Sequence, residues 1–324
     1  MNKEAGNILK KTRYQYFNES AFPAMLQFEL TGACNLKCKQ CYNDSGKKNT
    51  IMTAEHWKEF SEKVAGNLFS ATLSGGEPLL LGEHLVELMD ILAANNVWLN
   101  LISNGFFIDR ETARRLAKYD LGWVEISIDS PYEEYHDYLR GVKGSWRKAV
   151  WAASYLASYN IPVFIGTCVT PKTLSDLEAM VKLAEEIGVR GLTLTKIFVS
   201  GRAYSHEEEL VLSEDDTKRF VAEAGRLKKA TKDIIINFTT QSVEDALQDD
   251  TGTTNYQIPI IRPNAKMRLS CFEPIIVGDV LNEDIQTLWE RYKQIRTLLK
   301  NHPEKIKAAG RNYVDEEISY VEIL

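Results

Sequence analysis

The feature that most constrains this chain is a strand–helix alternation running from about residue 22 to residue 200. Leu26–Leu30 (LQFEL) reads as a strand closed by Thr31-Gly32. Behind it, Trp57, Phe60 and Val64 give helical spacing after Thr53, whose hydroxyl suits an N-cap. Phe69–Leu73, Val97–Ile102, Trp123–Ile128, Val163–Val169 and Leu192–Ile197 read as five further strands. Helices over Glu83–Ala94, Asp109–Lys118, Trp146–Ser158 and Leu174–Ile187, the last stopped by Gly188, separate them. Strands joined through helices pair in parallel, because a parallel neighbour needs a crossover. An open doubly wound sheet and a barrel both satisfy this, and periodicity alone does not choose between them. In either one, functional groups gather in the loops after the strand C-termini. The polar and glycine-rich words TGACNLKC, SGGEP, SNG and SIDS fall at those ends. The alternation therefore predicts one site assembled from successive βα loops.

The 324 residues leave room for about two domains. We divide them into an N-terminal segment 1–21, a core 22–200 and a C-terminal domain or cap 201–324. That last part carries a helix over Ser213–Lys229 with Phe220 and Val221 inward, a strand at Asp233–Phe238, and a turn-rich basic stretch (TGTTNYQIPIIRPNAKMR). An amphipathic helix follows near Thr287–Leu299, and the final 25 residues are charged and mixed. Hydrophobic residues at 44% and charged residues at 26% are ordinary for a globular protein and exclude a mainly disordered or collagenous chain. The formal charge of −6 gives no basic footprint for general nucleic-acid binding. The N-terminus lacks a signal-peptide core and no apolar run is long enough for a membrane span, so a cytoplasmic protein is expected.

Five cysteines, odd in number and sparse, do not form a disulfide framework. Three of them cluster as CNLKCKQCY, at Cys34, Cys38 and Cys41. Three readings compete. As buried thiols they would sit badly among Asn35, Lys37, Lys39 and Gln40. Zinc wants four ligands, and no histidine lies within ten residues. An iron–sulfur cluster is normally held by thiolates, and three of them on a four-iron cluster leave one iron open to an exogenous ligand.

C-x3-C-x2-C followed by an aromatic, in the loop after the first strand, resembles the radical S-adenosylmethionine (radical SAM) superfamily. SGGEP at 74–78, SNG at 103–105, SIDS at 127–130 and LRGVKGSW at 139–146 match that family in order and spacing. The resemblance implies a partial (β/α)6, TIM-like barrel with a small α+β C-terminal extension. It implies one [4Fe-4S] cluster held by Cys34, Cys38 and Cys41, with S-adenosylmethionine on the open iron. Gly75 and Gly76 would let backbone approach that ligand, and Glu77 would meet its ammonium. Read bottom-up, SGGEP also suits a plain strand-ending turn. Tyr42 stands where the family supplies an adenine contact. Ser127 and Arg140 match positions that contact the carboxylate and ribose, with Ser103, Asn104 and Asp129 in the same set of loops and Thr195 offering backbone to adenine. An arginine before a glycine in a loop is otherwise usually a solvated charge.

The tail resembles a reduced SPASM extension. GRA at 201–203 is similar to the junction before such tails, and MRLSCFEPIIVGDV with the following Leu-Trp helix is similar to their opening. Nothing after Cys271 can bind iron through sulfur, and Cys168 with Cys271 falls short of four thiolates. Cys271 is then a leftover buried thiol, a lone ligand, or a hydrogen donor to a substrate radical. Cys168, inside VFIGTCV, reads as core or barrel filler. The resemblance points first to a ribosomally made peptide substrate (cross-link, thioether or epimerisation) and second to a small molecule such as a tetrapyrrole or quinone precursor. A non-catalytic iron–sulfur sensor is the third reading. Arg262, Lys266 and Arg268 offer positive charge to an acidic peptide or carboxylated substrate, or else form a solvated loop. The expected partners are a flavodoxin- or ferredoxin-type electron donor and a separate leader-recognition protein.

Overall fold

The computed structural model describes residues 20–46, 50–197, 199–239, 258–271, 275–302 and the backbone of 318–319. The expected N-terminal segment, the start of the turn-rich stretch (251–257), residues 272–274 and most of the charged C-terminal end lie outside the described residues.

Six parallel strands form the expected core: β1 (Met25–Glu29), β2 (Ser70–Ser74), β3 (Trp98–Ser103), β4 (Leu121–Ser127), β5 (Val163–Val169) and β6 (Gly191–Lys196). They pair in chain order, as right-handed crossovers through helices produce. The helices are α1 (Ala54–Ala65), α2 (Glu83–Ala94), α3 (Arg110–Leu116), α4 (Glu133–Arg140), α5 (Ser145–Ser158) and α6 (Leu177–Ile187). Thr53 caps α1 as its sequence suggests, its hydroxyl accepting from His56 N while His56 Nδ1 accepts from Thr53 N. Asp109 caps α3 in the same way through Thr112 N.

α4 is an element the sequence reading treated as loop. Its eight residues end at Arg140, and Gly141 turns out of the helix at φ +70°. Asp137 on α4 then accepts from Ser145 Oγ and Trp146 N, both at 2.8 Å, and so starts α5.

Leu26 and Phe28 face the helices. Phe28 packs on Trp57 and Phe60 with ring centroids 5.6 Å away, and Trp57 Nε1 donates to Leu30 O at 2.9 Å. The opposite strand face becomes polar along the strands. On β4, β5 and β6 the half-buried residues of that face include Trp123 and Phe164 and, toward the strand C-termini, Glu125 and Ser127, Gly166 and Cys168, and Thr193 and Thr195.

The chain beyond residue 200 adds to the same sheet. After α7 (Glu214–Ala230), β7 (Ile235–Phe238) lies parallel to β6. β8 (Ile260–Ile261) lies parallel to β1 at the other edge, followed by antiparallel β9 (Lys266–Arg268) and β10 (Ile275–Asp279), with β11 (Ile318–Ser319) beside β10. α8 (Ile285–Asn301) buries Leu288, Trp289 and Tyr292 against this flank. The resulting eleven-stranded sheet is open: β1 and β6 are not neighbours. No helix among the described residues is long and apolar enough to cross a membrane.

Candidate functional site

Among its described residues the loop after β1 forms no helix and only an isolated bridge at Ser45, so it takes its shape from what it touches. It lies across the strand ends. Lys37 N donates to Arg140 O at 3.1 Å and Lys39 N to Leu139 O at 2.8 Å, so the cysteine loop caps the C-terminus of α4. Gln40 Nε2 donates to Asp129 Oδ2 at 2.6 Å, tying the loop to the end of β4.

Each thiol of the trio receives a donor. Leu36 N points at Cys34 Sγ (3.4 Å) and Ser45 N at Cys41 Sγ (3.3 Å). Arg140 Nη1 lies 3.7 Å from Cys38 Sγ, and Asn104 Nδ2 3.9 Å from Cys34 Sγ. Such N–H···S contacts stabilise thiolates and tune a bound metal. Burial pushes the Cys34 thiol up to about 11 without metal. Among the described residues no three His, Cys, Asp or Glu side chains converge on one point, as a single ion would require. Three sulfur donors suit the thiolate set of an iron–sulfur cluster, whereas zinc wants four ligands.

Asp129 organises the next layer. Its carboxylate, fully buried, accepts from Gln40, takes Cys168 N on Oδ1 at 3.0 Å, and lies 2.6 Å from Arg140 Nε. That last contact is an ion pair whose N–H is not aligned for a hydrogen bond. Asp129 N donates to His136 Nδ1 at 3.2 Å, and burial holds that imidazole neutral, its pKa down at about 4. From its sequence position Arg140 is expected to meet a ligand carboxylate or ribose, or solvent. Here it is buried and engaged by Asp129 and Cys38. Cys168 sits on the inner strand face against this pair, packed on the small cluster of Tyr135, Leu139 and Ile197, and burial followed by Asp129 raises its thiol pKa.

The SGGEP loop is bound to the cysteine loop by backbone. Gly76 N donates to Thr31 O at 2.6 Å and Glu77 N to Ala33 O at 2.9 Å. A Cβ on Gly76 would sit 2.0 Å from Ala33 O, and one on Gly75, at φ +143°, 2.8 Å from Thr31 O. In this structure the close approach that demands glycine is to the neighbouring loop. Glu77 is wholly buried and accepts from Ser103 Oγ (2.9 Å), Leu79 N (3.1 Å) and Asn104 N (2.9 Å). Burial raises its carboxyl pKa to about 7. Glu77 thus ties the second and third βα loops together, and Asn104 is held by Phe106 N and Asn35 Oδ1, both at 2.9 Å.

Tyr42 turns to the other side, donating to Glu29 Oε1 at 2.6 Å. Glu29 also meets Arg262 Nε at 3.1 Å, and Arg262 Nη2 meets Asn43 Oδ1 at 3.2 Å. Arg268 is 3% exposed, and Lys266 pairs with Asp279 at 2.9 Å. Among the described residues of the basic stretch, Arg262 and Arg268 are not solvated and Lys266 is paired. Its two arginines are turned inward beside β1, and Cys271 O accepts from Arg268 Nη2 at 3.4 Å.

Three further residues have a place in the site that no motif assigns to them. Glu125, two positions before Ser127 on the polar face, bonds Thr193, and burial pushes its carboxyl up to about 7. His136 and Arg202 are recognised only through their distant partners. The period-two alternation of β4 was the one available pointer to Glu125.

The pattern described as the Radical SAM superfamily matches residues 28–184. The mycofactocin maturase MftC of Mycobacterium ulcerans is 34% identical over 191 residues, 58% of this chain and 51% of the relative, so this chain spans about half its length. The sporulation killing factor maturation protein SkfB of Bacillus subtilis is 25% identical over 92% of this chain and 72% of its own. The AdoMet-dependent heme synthase of Methanosarcina barkeri is 23% identical over 88% and 86%. Among solved structures, anSMEcpe with bound AdoMet and Cp18Cys peptide superposes with a TM-score of 0.68 at 19% identity, over 85% of this chain and 83% of that one, which supports the fold. Residues 28–184 of this chain carry a radical SAM domain.

Proposed function

We propose that this chain is a radical SAM enzyme that modifies a ribosomally synthesised peptide, using one [4Fe-4S] cluster on Cys34, Cys38 and Cys41. When bound, such a cluster with S-adenosylmethionine supplies a 5′-deoxyadenosyl radical that abstracts hydrogen from the substrate. The observation that carries the reading is the cysteine loop itself: three thiols, each with an N–H donor, on a loop laid across the strand ends.

The chain's own residues hold and shield. Arg140 places a guanidinium beside Cys38 while Asp129 balances its charge. Asn104 closes over Cys34. Ser127 and Thr195, on the polar strand face beside Glu125 and Cys168, line the space in which ligand and substrate would meet. Electrons would come from a flavodoxin- or ferredoxin-type protein, and leader recognition from a separate partner.

The maturase relatives favour a peptide. One observation keeps a second reading: the heme synthase likeness runs through both core and tail, at 86% of that protein's length. The test is anaerobic reconstitution with iron, sulfide, dithionite and S-adenosylmethionine. About four irons per chain and formation of 5′-deoxyadenosine are expected. Candidate precursor peptides encoded beside the gene are then assayed for changed mass or stereochemistry, with a tetrapyrrole arm alongside. Conversion of the tetrapyrrole alone selects the second reading, and absence of 5′-deoxyadenosine in every arm removes both.

A further inference from the structure

The chain leaves β6 through residues 200–203, and this junction is pressed onto the cysteine loop. Gly201 has φ +55°, and a Cβ there would lie 2.4 Å from Tyr42 O and 2.6 Å from Cys41 O. Only glycine allows that approach. Ser200 Oγ donates to Tyr42 O at 3.3 Å. Arg202 then commits its backbone and its whole guanidinium to the loop. Its backbone N donates to Cys41 O at 2.9 Å, its Nε to Cys38 O at 2.8 Å and its Nη2 to Ser45 O at 3.0 Å. Its Nη1 lies 3.1 Å from Asp44 Oδ1.

Within the loop, Cys41 N and Asp44 N already donate to Cys38 O and Cys41 O at 3.3 Å, and Arg202 gives each of these carbonyls a second, shorter donor from outside the loop. Both belong to cysteines of the trio. A planar guanidinium sends its N–H groups in fixed, divergent directions, whereas a lysine ammonium reaches such acceptors from one point. The contact also spans 164 positions of sequence and joins the exit of β6 to the exit of β1, strands that the open sheet leaves unpaired. Asp44 balances the arginine's charge, so the residue acts through geometry more than through net field.

We propose that Arg202 is a positioning residue for the iron–sulfur cluster: it fixes the carbonyl frame of the cysteine loop, so that cluster retention depends on the junction after β6. This rests on the cluster part of the proposed function and needs neither the ligand nor the substrate.

The experiment compares wild type, Arg202→Lys, Arg202→Met and Arg226→Met, each reconstituted anaerobically as the full chain. Arg226, on α7, pairs among the described residues with Glu223 and Glu178 at the surface and serves as the control. The readouts are iron per chain, the rate of cluster loss to a chelator, the electron paramagnetic resonance spectrum of the reduced cluster, and the melting temperature of the metal-free protein. Wild type and Arg226→Met should hold about four irons and lose them at the same rate. Arg202→Lys should melt with wild type when metal-free, yet release its cluster about tenfold faster with a broadened spectrum. Should Arg202→Met fail to fold, Arg202→Lys decides alone. Equal release rates and spectra in Arg202→Lys and an iron-bearing wild type overturn this proposal only. A wild type that takes up no iron–sulfur cluster overturns the reading beneath it as well.

Discussion

Asp129 Oδ2 and Arg140 Nε lie 2.6 Å apart, with the carboxylate fully buried and the guanidinium side chain 10% exposed. The pair links the end of β4 to the end of α4, and Arg140 Nη1 reaches on to Cys38. Breaking one side of a buried pair leaves the other charge without compensation. Asp129→Ala should destabilise the metal-free protein by about 3–5 kcal/mol in chemical denaturation. Asp129→Asn keeps one acceptor, for Cys168 N, and presents an NH2 to Gln40, whose amide can turn its oxygen to meet it, so this variant should cost less. Equal stability of Asp129→Ala and wild type would show that the pair is not held in solution.

Local signals were legible where one segment decides its own structure. Thr53 and Asp109 cap their helices as sequence suggests, because cap and partner stand three residues apart. The six core strands were readable from their apolar runs and the glycine words behind them. What escaped depends on distant partners. Arg140 looks like a loop cation until α4 is seen to bring it under Asp129. Arg262 and Arg268 look solvated until β8 pairs with β1 and sets them beside Glu29. Sequence also reads Gly76 as a ligand-facing glycine, whereas its crowding comes from Ala33, in another loop.

That crowding yields a paired prediction. A Cβ at Gly76 would overlap Ala33 O, which is backbone and cannot rotate away. Gly82 also has positive φ, at +56°, but nothing lies within 4 Å of its missing Cβ. Gly82→Ala should cost about 1 kcal/mol from backbone conformation alone. Gly76→Ala should cost more, about 2–3 kcal/mol or above, and should lower iron uptake on reconstitution, because the cysteine loop must shift. Thermal unfolding together with iron analysis of both variants checks the order.

Glu125 carries a signed pH dependence. Burial raises its folded pKa to about 7 from an ordinary 4.5, with the Thr193 hydrogen bond and the Arg140 charge acting the other way. Between those values the folded protein keeps a proton that the unfolded chain has lost. Its contribution to stability therefore falls as pH rises from about 4.5 to about 7 and stays low above. Glu125→Gln removes this loss while its amide oxygen still accepts from Thr193. The variant should match wild type at acid pH and exceed it at pH 8 by on the order of 2 kcal/mol. Denaturant titrations at the two pH values give the comparison, and a constant offset between the proteins would contradict the assigned shift.

The two cysteines outside the trio supply the last test. Cys168 stands against Asp129 and Arg140, while Cys271 lies on the β1 side, its carbonyl accepting from Arg268 Nη2. Two thiolates fall short of the four that an auxiliary cluster normally uses. Replacing Cys271 by Ala should therefore leave about four irons per chain, whereas Cys34→Ala should leave almost none. Formation of 5′-deoxyadenosine should persist in Cys271→Ala, since Cys271 holds no iron of the catalytic cluster. Any loss should fall on the final product, where a thiol that donates hydrogen to a substrate radical acts after the abstraction. A fall to about half the wild-type iron in Cys271→Ala would instead make Cys271 a ligand to a second cluster. The reduced tail would then still be an iron-binding domain.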